Sequence, residues 1–343
     1  MNKAKNIDRI SYLDIAKGIS IICIILGHLD SFAINRVVFT FHVPIFFLIS
    51  GYFIDDKLKI TDFIKKKAKR LLIPYYITCL VIILLALYFG FHPGTIKGKL
   101  IYWLKASLYA AGSPHSKPFQ IDQIGAIWFL WALFWGSIFL RISLAMRREI
   151  RIIFIGSLFL IGYYTRNLFW LPLSIQPGAC SVLFLYIGYL FKIYKDRIAK
   201  IPLSIKVILS LVALIISILF IINFKSFYLV ECDIGRGVID IIGCLCSCWI
   251  VILISQFIDR HTRILKNIFI NIGEQSLILL CVHIVELNLL PWSIIPYTLS
   301  IRKLPPFNWI SILIVKLPFD LLVTYLIVKF SKKKKSIKQL KQA

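Results

Sequence analysis

The sequence predicts an all-α fold: a polytopic integral membrane helix bundle of about ten transmembrane helices, with both termini on the cytoplasmic side. Three observations predict it. The 343-residue chain is 59% hydrophobic with a mean hydropathy of +0.82, more apolar surface than a water-soluble domain of this length can hide. Its apolar residues gather in repeated stretches near the length of about 20 that crosses a bilayer. The 41 Lys and Arg residues, which leave a net charge of +25, sit in short clusters between those stretches. That placement encodes membrane topology, whereas a nucleic-acid surface needs its basic residues in one stripe, so nucleic acid is not expected as a partner.

Taken in order, the spans fall near residues 11–33, 36–54, 71–91, 124–144, 152–165, 174–191, 203–223, 236–258, 268–290 and 308–328, the fifth being the shortest. An even number puts both termini on one side. The clusters Lys65 to Lys67 with Lys69 and Arg70, Arg147 with Arg148 and Arg151, and Lys332 to Lys335 make that side the cytoplasm. The longest external connection, 92–123, is rich in Pro and Gly, and Leu100 to Tyr109 reads as an interfacial amphipathic helix. Residues 329–343 read as a basic anchor on an anionic leaflet, with the chain as a single membrane-embedded domain and no cleaved signal peptide. No internal repeat is visible, which disfavours an inverted-repeat transporter. Seven of the eight cysteines (Cys23, Cys79, Cys180, Cys244, Cys246, Cys248, Cys281) fall in apolar segments and read as small buried hydrophobes, leaving Cys232 in a loop.

Ionisable side chains within a bilayer cost about 2.5–3.5 kcal/mol each on insertion scales, so each asks for a function. The first span is the richest: Ser11-Tyr12-Leu13-Asp14-Ile15-Ala16-Lys17-Gly18 runs on through apolar residues to Gly27-His28. On one continuous helix Lys17 and His28 share a face about 16 Å apart, with Asp14 a turn below Lys17. Lys17 reads either as a snorkelling cation paired with Asp14 or as a functional group at the inner mouth. His28 reads either as a packing histidine bonded to another helix or as a proton-transfer group facing the bundle interior. Phe41-His42-Val43-Pro44 brings in a second imidazole at similar depth, and Pro44 distorts its helix, freeing backbone groups for a polar cavity. Ser50-Gly51 is expected to be a small-residue packing surface. In the ninth span His283 has Glu286 three residues on, while Glu274 lies nearer the cytoplasm on the opposite face. No phosphate loop, zinc-protease helix or nucleophile elbow occurs, and no metal is expected. Trp128, Trp131, Trp170, Trp292 and Gln123 fit an interfacial belt better than a sugar-stacking surface.

Several pieces then recur in a familiar order: Tyr12-Leu13-Asp14-Ile15-Ala16-Lys17-Gly18 to Gly27-His28; Phe41-His42-Val43-Pro44-Ile45-Phe46-Phe47 to Ser50-Gly51-Tyr52; Lys69-Arg70-Leu71-Leu72-Ile73-Pro74-Tyr75-Tyr76; Trp128-Phe129-Leu130; Tyr186-Ile187-Gly188-Tyr189; and Gly273-Glu274-Gln275-Ser276-Leu277 before His283. Together they resemble the membrane acyltransferase-3 family, most of all its fucose 4-O-acetylase-like branch. The resemblance implies an enzyme of a bacterial inner membrane. It would O-acetylate a sugar hydroxyl of a cell-surface polysaccharide or glycolipid, with cytosolic acetyl-CoA as acyl donor. It also implies His28 as general base or transient acetyl carrier, with His42 and His283 orienting it or stabilising the oxyanion. Asp14 and Lys17 would stand at the inner mouth, and Lys69 and Arg70 would attract the CoA nucleotide, although the basic run 65–70 serves topology equally well. The family often has an arginine where Lys17 stands; lysine keeps the charge and loses the bidentate fork. Some relatives carry an extracytoplasmic hydrolase-like domain, so a hand-off here implies polysaccharide-synthesis partners. Two rivals stay open: a non-enzymatic flippase or exporter of a lipid-linked sugar or polymer, and an acyltransferase that uses succinyl in place of acetyl.

Overall fold

The computed structural model describes residues 9–29, 31–89, 95–290, 292, 294 and 308–340, with side chains of the last helix from 309 to 331. Pro93, Gly94 and the side chains of Lys332 to Lys335 lie outside the described residues. Among those described, thirteen α-helices and two 3₁₀ turns form the fold, with isolated bridges but no strand. The helices are α1 (Ser11–Leu26), α2 (Phe32–Val38), α3 (Pro44–Tyr52), α4 (Ile60–Phe89), α5 (Ile96–Tyr109), α6 (Trp128–Ser143) and α7 (Arg148–Thr165). They continue as α8 (Ile175–Ala199), α9 (Leu203–Ile222), α10 (Val238–His261), α11 (Arg263–Glu274), α12 (Ser276–Leu289) and α13 (Asn308–Leu340). The helix expected around 100–109 is α5.

Five helical segments are long and apolar enough to cross a bilayer: Ile60–Phe89, Pro172–Ala199, Leu203–Ile222, Val238–His261 and Trp309–Ser331. The pair α11 and α12, bent by 68° at their junction, makes a sixth if taken as one span. On α9 the side chains of Leu203, Ile208, Leu211 and Ile215 are exposed, and on α13 those of Ile314 and Leu322. Apolar faces of that extent belong against lipid. The chain is a multi-pass helical membrane protein.

Hydropathy alone predicts continuous spans at 11–33 and 36–54; the structure breaks both. Helix α1 stops at Leu26, where the Gly27 amide still reaches the Cys23 carbonyl at 2.9 Å but the His28 amide turns to Ile25. The second stretch divides into α2 and α3 because Pro44, lacking an amide hydrogen, suits the first position of a new helix and not the interior of an old one. Non-helical backbone at membrane depth is tolerated where it lines a cavity. Here it does, since Phe39, His42, Val43 and Pro44 form part of one.

Glycines set the helix spacing. A Cβ at Gly51 of α3 would press on the Leu185 carbonyl of α8, and one at Gly188 of α8 on the Leu48 carbonyl of α3. The same reciprocal arrangement joins α1 and α11, with Gly18 against the Phe269 carbonyl and Gly273 against that of Asp14. Small residues let these backbones meet, as Ser50-Gly51 leads one to expect. Helix α8 is the hub, packing on α3, α6 and α7, while α12 lies against α4, α1 and α13. Trp128, Trp131 and Trp170 are buried within this packing, which corrects their reading as interfacial belt anchors: Trp131 sits among Tyr75, Tyr76 and Phe134, and Trp170 stacks under His115. Cys232, in its loop, is fully buried, and all eight cysteines are free.

Candidate active site

The two breaks present two imidazoles to one cavity. Because the chain leaves the helix at Leu26, the Ile24 carbonyl has no main-chain partner; Nδ1 of His28 lies 2.8 Å from it. After α2 the His42 Nδ1 lies 2.6 Å from the Val38 carbonyl. A carbonyl can only accept, so each Nδ1 carries the ring hydrogen and each Nε2 keeps its lone pair. Both rings line a cavity of about 350 Å³. Its apolar walls include Ile24, Phe39, Trp128, Phe129 and Leu280, and its polar lining includes Ser113, Gln123, Tyr228 and Glu231. His28 thus stands in a turn beyond α1 and not on the continuous helical face expected for it.

His283 of α12 adds a third ring behind His28. Its Nε2 is 3.4 Å from His28 Nδ1, with ring centroids 5.1 Å apart. On its far side Nδ1 lies 3.1 Å from Asp320 Oδ2 on α13 and 2.9 Å from Glu286 Oε1. Two carboxylate oxygens facing Nδ1 fix the hydrogen there and leave Nε2 to accept from His28. Every hydrogen in the series then points away from the cavity: His28 Nδ1–H is shared between the Ile24 carbonyl at 2.8 Å and His283 Nε2 at 3.4 Å, and His283 Nδ1–H points toward Asp320. Lys316 Nζ, 3.2 Å from Glu286 Oε1, and the Trp292 indole N–H on Glu286 complete the cluster. His283, Glu286, Lys316 and Asp320 are each at most 2% exposed. The ligating atoms of His283, Glu286 and Asp320 lie within 4.8 Å of one another, a grouping that suits a metal, but Lys316 already takes the cation's place beside Glu286. The ninth-span pairing of His283 with Glu286 was legible in the sequence. Asp320 was not, although Lys316, Asp320 and Thr324 recur every four residues in an apolar helix and are all buried, the pattern of a polar stripe on one face.

The opposite end of α1 is an ion cluster. Lys17 Nζ is 2.5 Å from Asp14 Oδ1, Arg9 Nε is 2.6 Å from Asp14 Oδ2, and Arg9 also pairs with Glu274 of α11. Ser11 Oγ donates to Asp259 of α10 at 2.8 Å. Arg9 and Ser11 therefore tie the start of α1 to α11 and α10, while Asp14 and Lys17 pair within α1, and neither of that pair lines the histidine cavity. The salt-bridged Arg9 guanidinium, hydrogen-bonded first of all to Asp14, is held above its ordinary range. Lys69 and Arg70 are exposed near the start of α4. No ion pair joins either of them to Asp14 or Lys17 among the described residues.

A second, polar pocket of about 330 Å³ adjoins the cavity through the shared residue Glu231 and is lined by Pro114, His115, Arg166, Asn167 and Asp233. Arg166 donates to the Cys232 carbonyl at 2.5 Å and lies 3.2 Å from Asp233 Oδ1. His115 stacks on Trp170 at 3.7 Å, and burial pushes the His115 ring down to about 4, so it is neutral at pH 7. These walls come from the loops 110–126 and 227–233 and the turn after α7, which sequence reasoning treats only as connections.

Comparison with known proteins agrees with this architecture. Nodulation protein NolL of Sinorhizobium fredii (strain NBRC 101917 / NGR234) is 30% identical over 135 residues, 35% of this chain and 32% of that protein. Nodulation protein NolL of Mesorhizobium japonicum (strain LMG 29417 / CECT 9101 / MAFF 303099) is 27% identical over 150 residues, 39% of this chain and 36% of that one. The match thus spans about a third of the length of each relative. No solved structure matches the chain. The acyltransferase-3 family, described as an acyltransferase domain, matches residues 10–329, and with the histidine cavity inside that stretch the chain belongs to this acyltransferase family.

Proposed function

We propose that the protein is a membrane-bound O-acyltransferase that moves an acetyl group from cytosolic acetyl-CoA to a sugar hydroxyl of a cell-surface polysaccharide or glycolipid. Its setting in this reading is a bacterial inner membrane, with both termini cytoplasmic. One observation carries the reading: in a member of an acyltransferase family, His28 has Nδ1 engaged by Ile24 and His283 and, among the described residues, its other ring nitrogen unclaimed at the wall of a cavity. That is the arrangement of a general base. The acceptor O–H gives its proton to Nε2 as its oxygen attacks the thioester carbonyl carbon. The new C–O bond forms, the C–S bond breaks, and the departing thiolate takes a proton back. His42, whose Nε2 is also an acceptor, suits the orienting of that hydroxyl better than the stabilising of an oxyanion. Ser113, Gln123 and Tyr228 are the hydrogen donors available for the latter.

The basic end of α1 is the complementary entry for CoA. Lys17, held by Asp14, and the exposed Lys69 and Arg70 offer positive charge to the nucleotide. The pantetheine arm would then follow α1 toward His28, in the turn just beyond its end. The acceptor side suits a sugar: aromatic walls at Phe39, Trp128 and Tyr228 meet the apolar face of a ring, and the polar pocket beyond Glu231 offers partners for hydroxyls. The fucose 4-O-acetylase-like character of the motifs agrees with that acceptor class.

Mass spectrometry of surface glycans from cells with and without the gene tests this directly. Loss of O-acetyl esters on deletion, restored by the wild-type gene, is the expected result. Unchanged glycans in cells that insert the protein correctly would refute it, and a lost succinyl mass would replace the donor. Acetyl-CoA should also raise the melting temperature of the detergent-purified protein where a nucleotide without the thioester arm does not.

A further inference from the structure

We propose that His283, and not His28, carries the positive charge of proton uptake while the acetyl group moves, taking over the His28 Nδ1 hydrogen as His28 Nε2 receives the acceptor's proton, and that Asp320, Glu286 and Lys316 keep the loaded site electrically neutral. The inference rests on the acyl-transfer reading of the same cavity. With His283 neutral, the buried cluster has, among the described residues, two carboxylates, Glu286 and Asp320, against one ammonium, Lys316. One negative charge is left over in a region closed to water, which is costly. Asp320 Oδ1 is buried with no hydrogen-bond partner. A single proton on His283 balances the set, two cations against two carboxylates.

The hydrogen series supplies the path. The acceptor's proton arrives at His28 Nε2 while the hydrogen on His28 Nδ1 passes to His283 Nε2, 3.4 Å away. His28 becomes its other tautomer, with a hydrogen on Nε2 facing the cavity, and His283 becomes an imidazolium whose Nδ1–H stays on Asp320. When the C–S bond breaks, His28 Nε2–H goes to the thiolate sulfur, and the His283 Nε2 hydrogen returns to His28 Nδ1. The starting tautomers are restored with no outside acid or base. Few other titratable groups face His283. Its own helix brings Glu286, α13 brings Lys316 and Asp320, and the turn after α1 brings His28, while Cys281 of α12 meets Thr78 and Cys79 of α4. On α11, Glu274 is engaged by Arg9 at the far end, and His42 lies across the cavity.

Opposite charge changes give opposite signs, which a merely structural role does not. The measurement is release of CoA thiol from acetyl-CoA by the purified full-length protein across pH, with a panel of methyl glycosides and with water as background acceptor. Asp320→Asn or Glu286→Gln removes a negative charge, weakens proton uptake, and should move the acid limb of kcat to lower pH by about one unit or more. Lys316→Met strengthens uptake and should move that limb to higher pH, and the Lys316→Met/Asp320→Asn double variant should return it toward the wild-type position. Rate loss with the limbs unmoved, or both limbs moving the same way, overturns the proposal. Where a charge variant fails to fold, the wild type alone still tests it. Rates in mixtures of light and heavy water should bow downward for two protons in flight, and a straight line overturns the relay. A wild type that leaves acetyl-CoA intact with every acceptor overturns the acyl-transfer reading beneath it as well.

Discussion

The two ends of α1 carry similar numbers of polar side chains and put them to different physical use. At the Arg9 end, Arg9 pairs with Asp14 and Glu274, and Asp14 with Lys17, in reach of water: Arg9 is 54% exposed and Lys17 23%. At the His28 end, His28 meets His283 and His283 meets Asp320 beside Lys316 and Glu286, with His42 across the cavity; all of these but the half-buried His28 are closed off from solvent. Ions that water can screen exert weak, long-range attraction, fitted to catching a charged ligand. Ions that water cannot reach hold fixed proton positions and make each added charge expensive, fitted to controlling a reaction. On the function proposed above, the helix joins a recognition end to a chemical end.

The hardest test of that division is His28→Gln. If the chemical end depends on His28, kcat should fall about 1000-fold, within the usual range for loss of a general base, with the melting temperature little changed. A loss under tenfold in a well-folded variant would remove the distinction between the ends. Packing changes are a control on both. Gly51→Ala or Gly188→Ala sets a Cβ on a backbone carbonyl of the facing helix and should cost about 1–3 kcal/mol in denaturation. Gly156→Ala, on α7 with nothing within 4 Å of its added carbon, should be neutral or gain up to about 1 kcal/mol. Equal destabilisation at all three positions would mean that the close approaches of α3 and α8 carry no weight. At the recognition end, Lys17→Gln should raise KM for acetyl-CoA about tenfold and leave kcat within a factor of about two. A fall in kcat without a rise in KM would move Lys17 to the chemistry.

How much of this division was legible beforehand follows from which forces act locally. His28, His42 and His283 stood out because an imidazole in an apolar segment is conspicuous at any distance from its partners. The small-residue surface at Ser50-Gly51 was legible for a related reason, although the carbonyl it meets, Leu185, was not. The break after Leu26 was missed, and that after Val38 was legible only as the distortion expected at Pro44, because hydropathy averages over the few residues where the chain leaves the helix, and there His28 and His42 take up carbonyls with their rings. Asp320 was missed as well. Its partner lies 37 positions away on α12, and only tertiary packing brings the two helices together. Likewise nothing local announces that Gly112, Ser113 and Tyr228, from separate connections, share one cavity wall.

The smallest expected effect is also the finest measure of the contrast. Arg9 bonds Asp14 and Glu274, yet it is more than half exposed, so solvent screens both pairs. Arg9→Gln should cost under about 1 kcal/mol of stability, with that cost shrinking as salt rises from low to physiological strength. Lys316→Gln removes one cation from a buried set and leaves Glu286 with less compensation, so its cost should be several times larger and nearly independent of salt. Thermal unfolding of the two variants across a salt series reads both quantities at once. Matching salt dependence would mean that water reaches the Lys316 cluster, and a cluster open to water has no need of a proton to balance its charge.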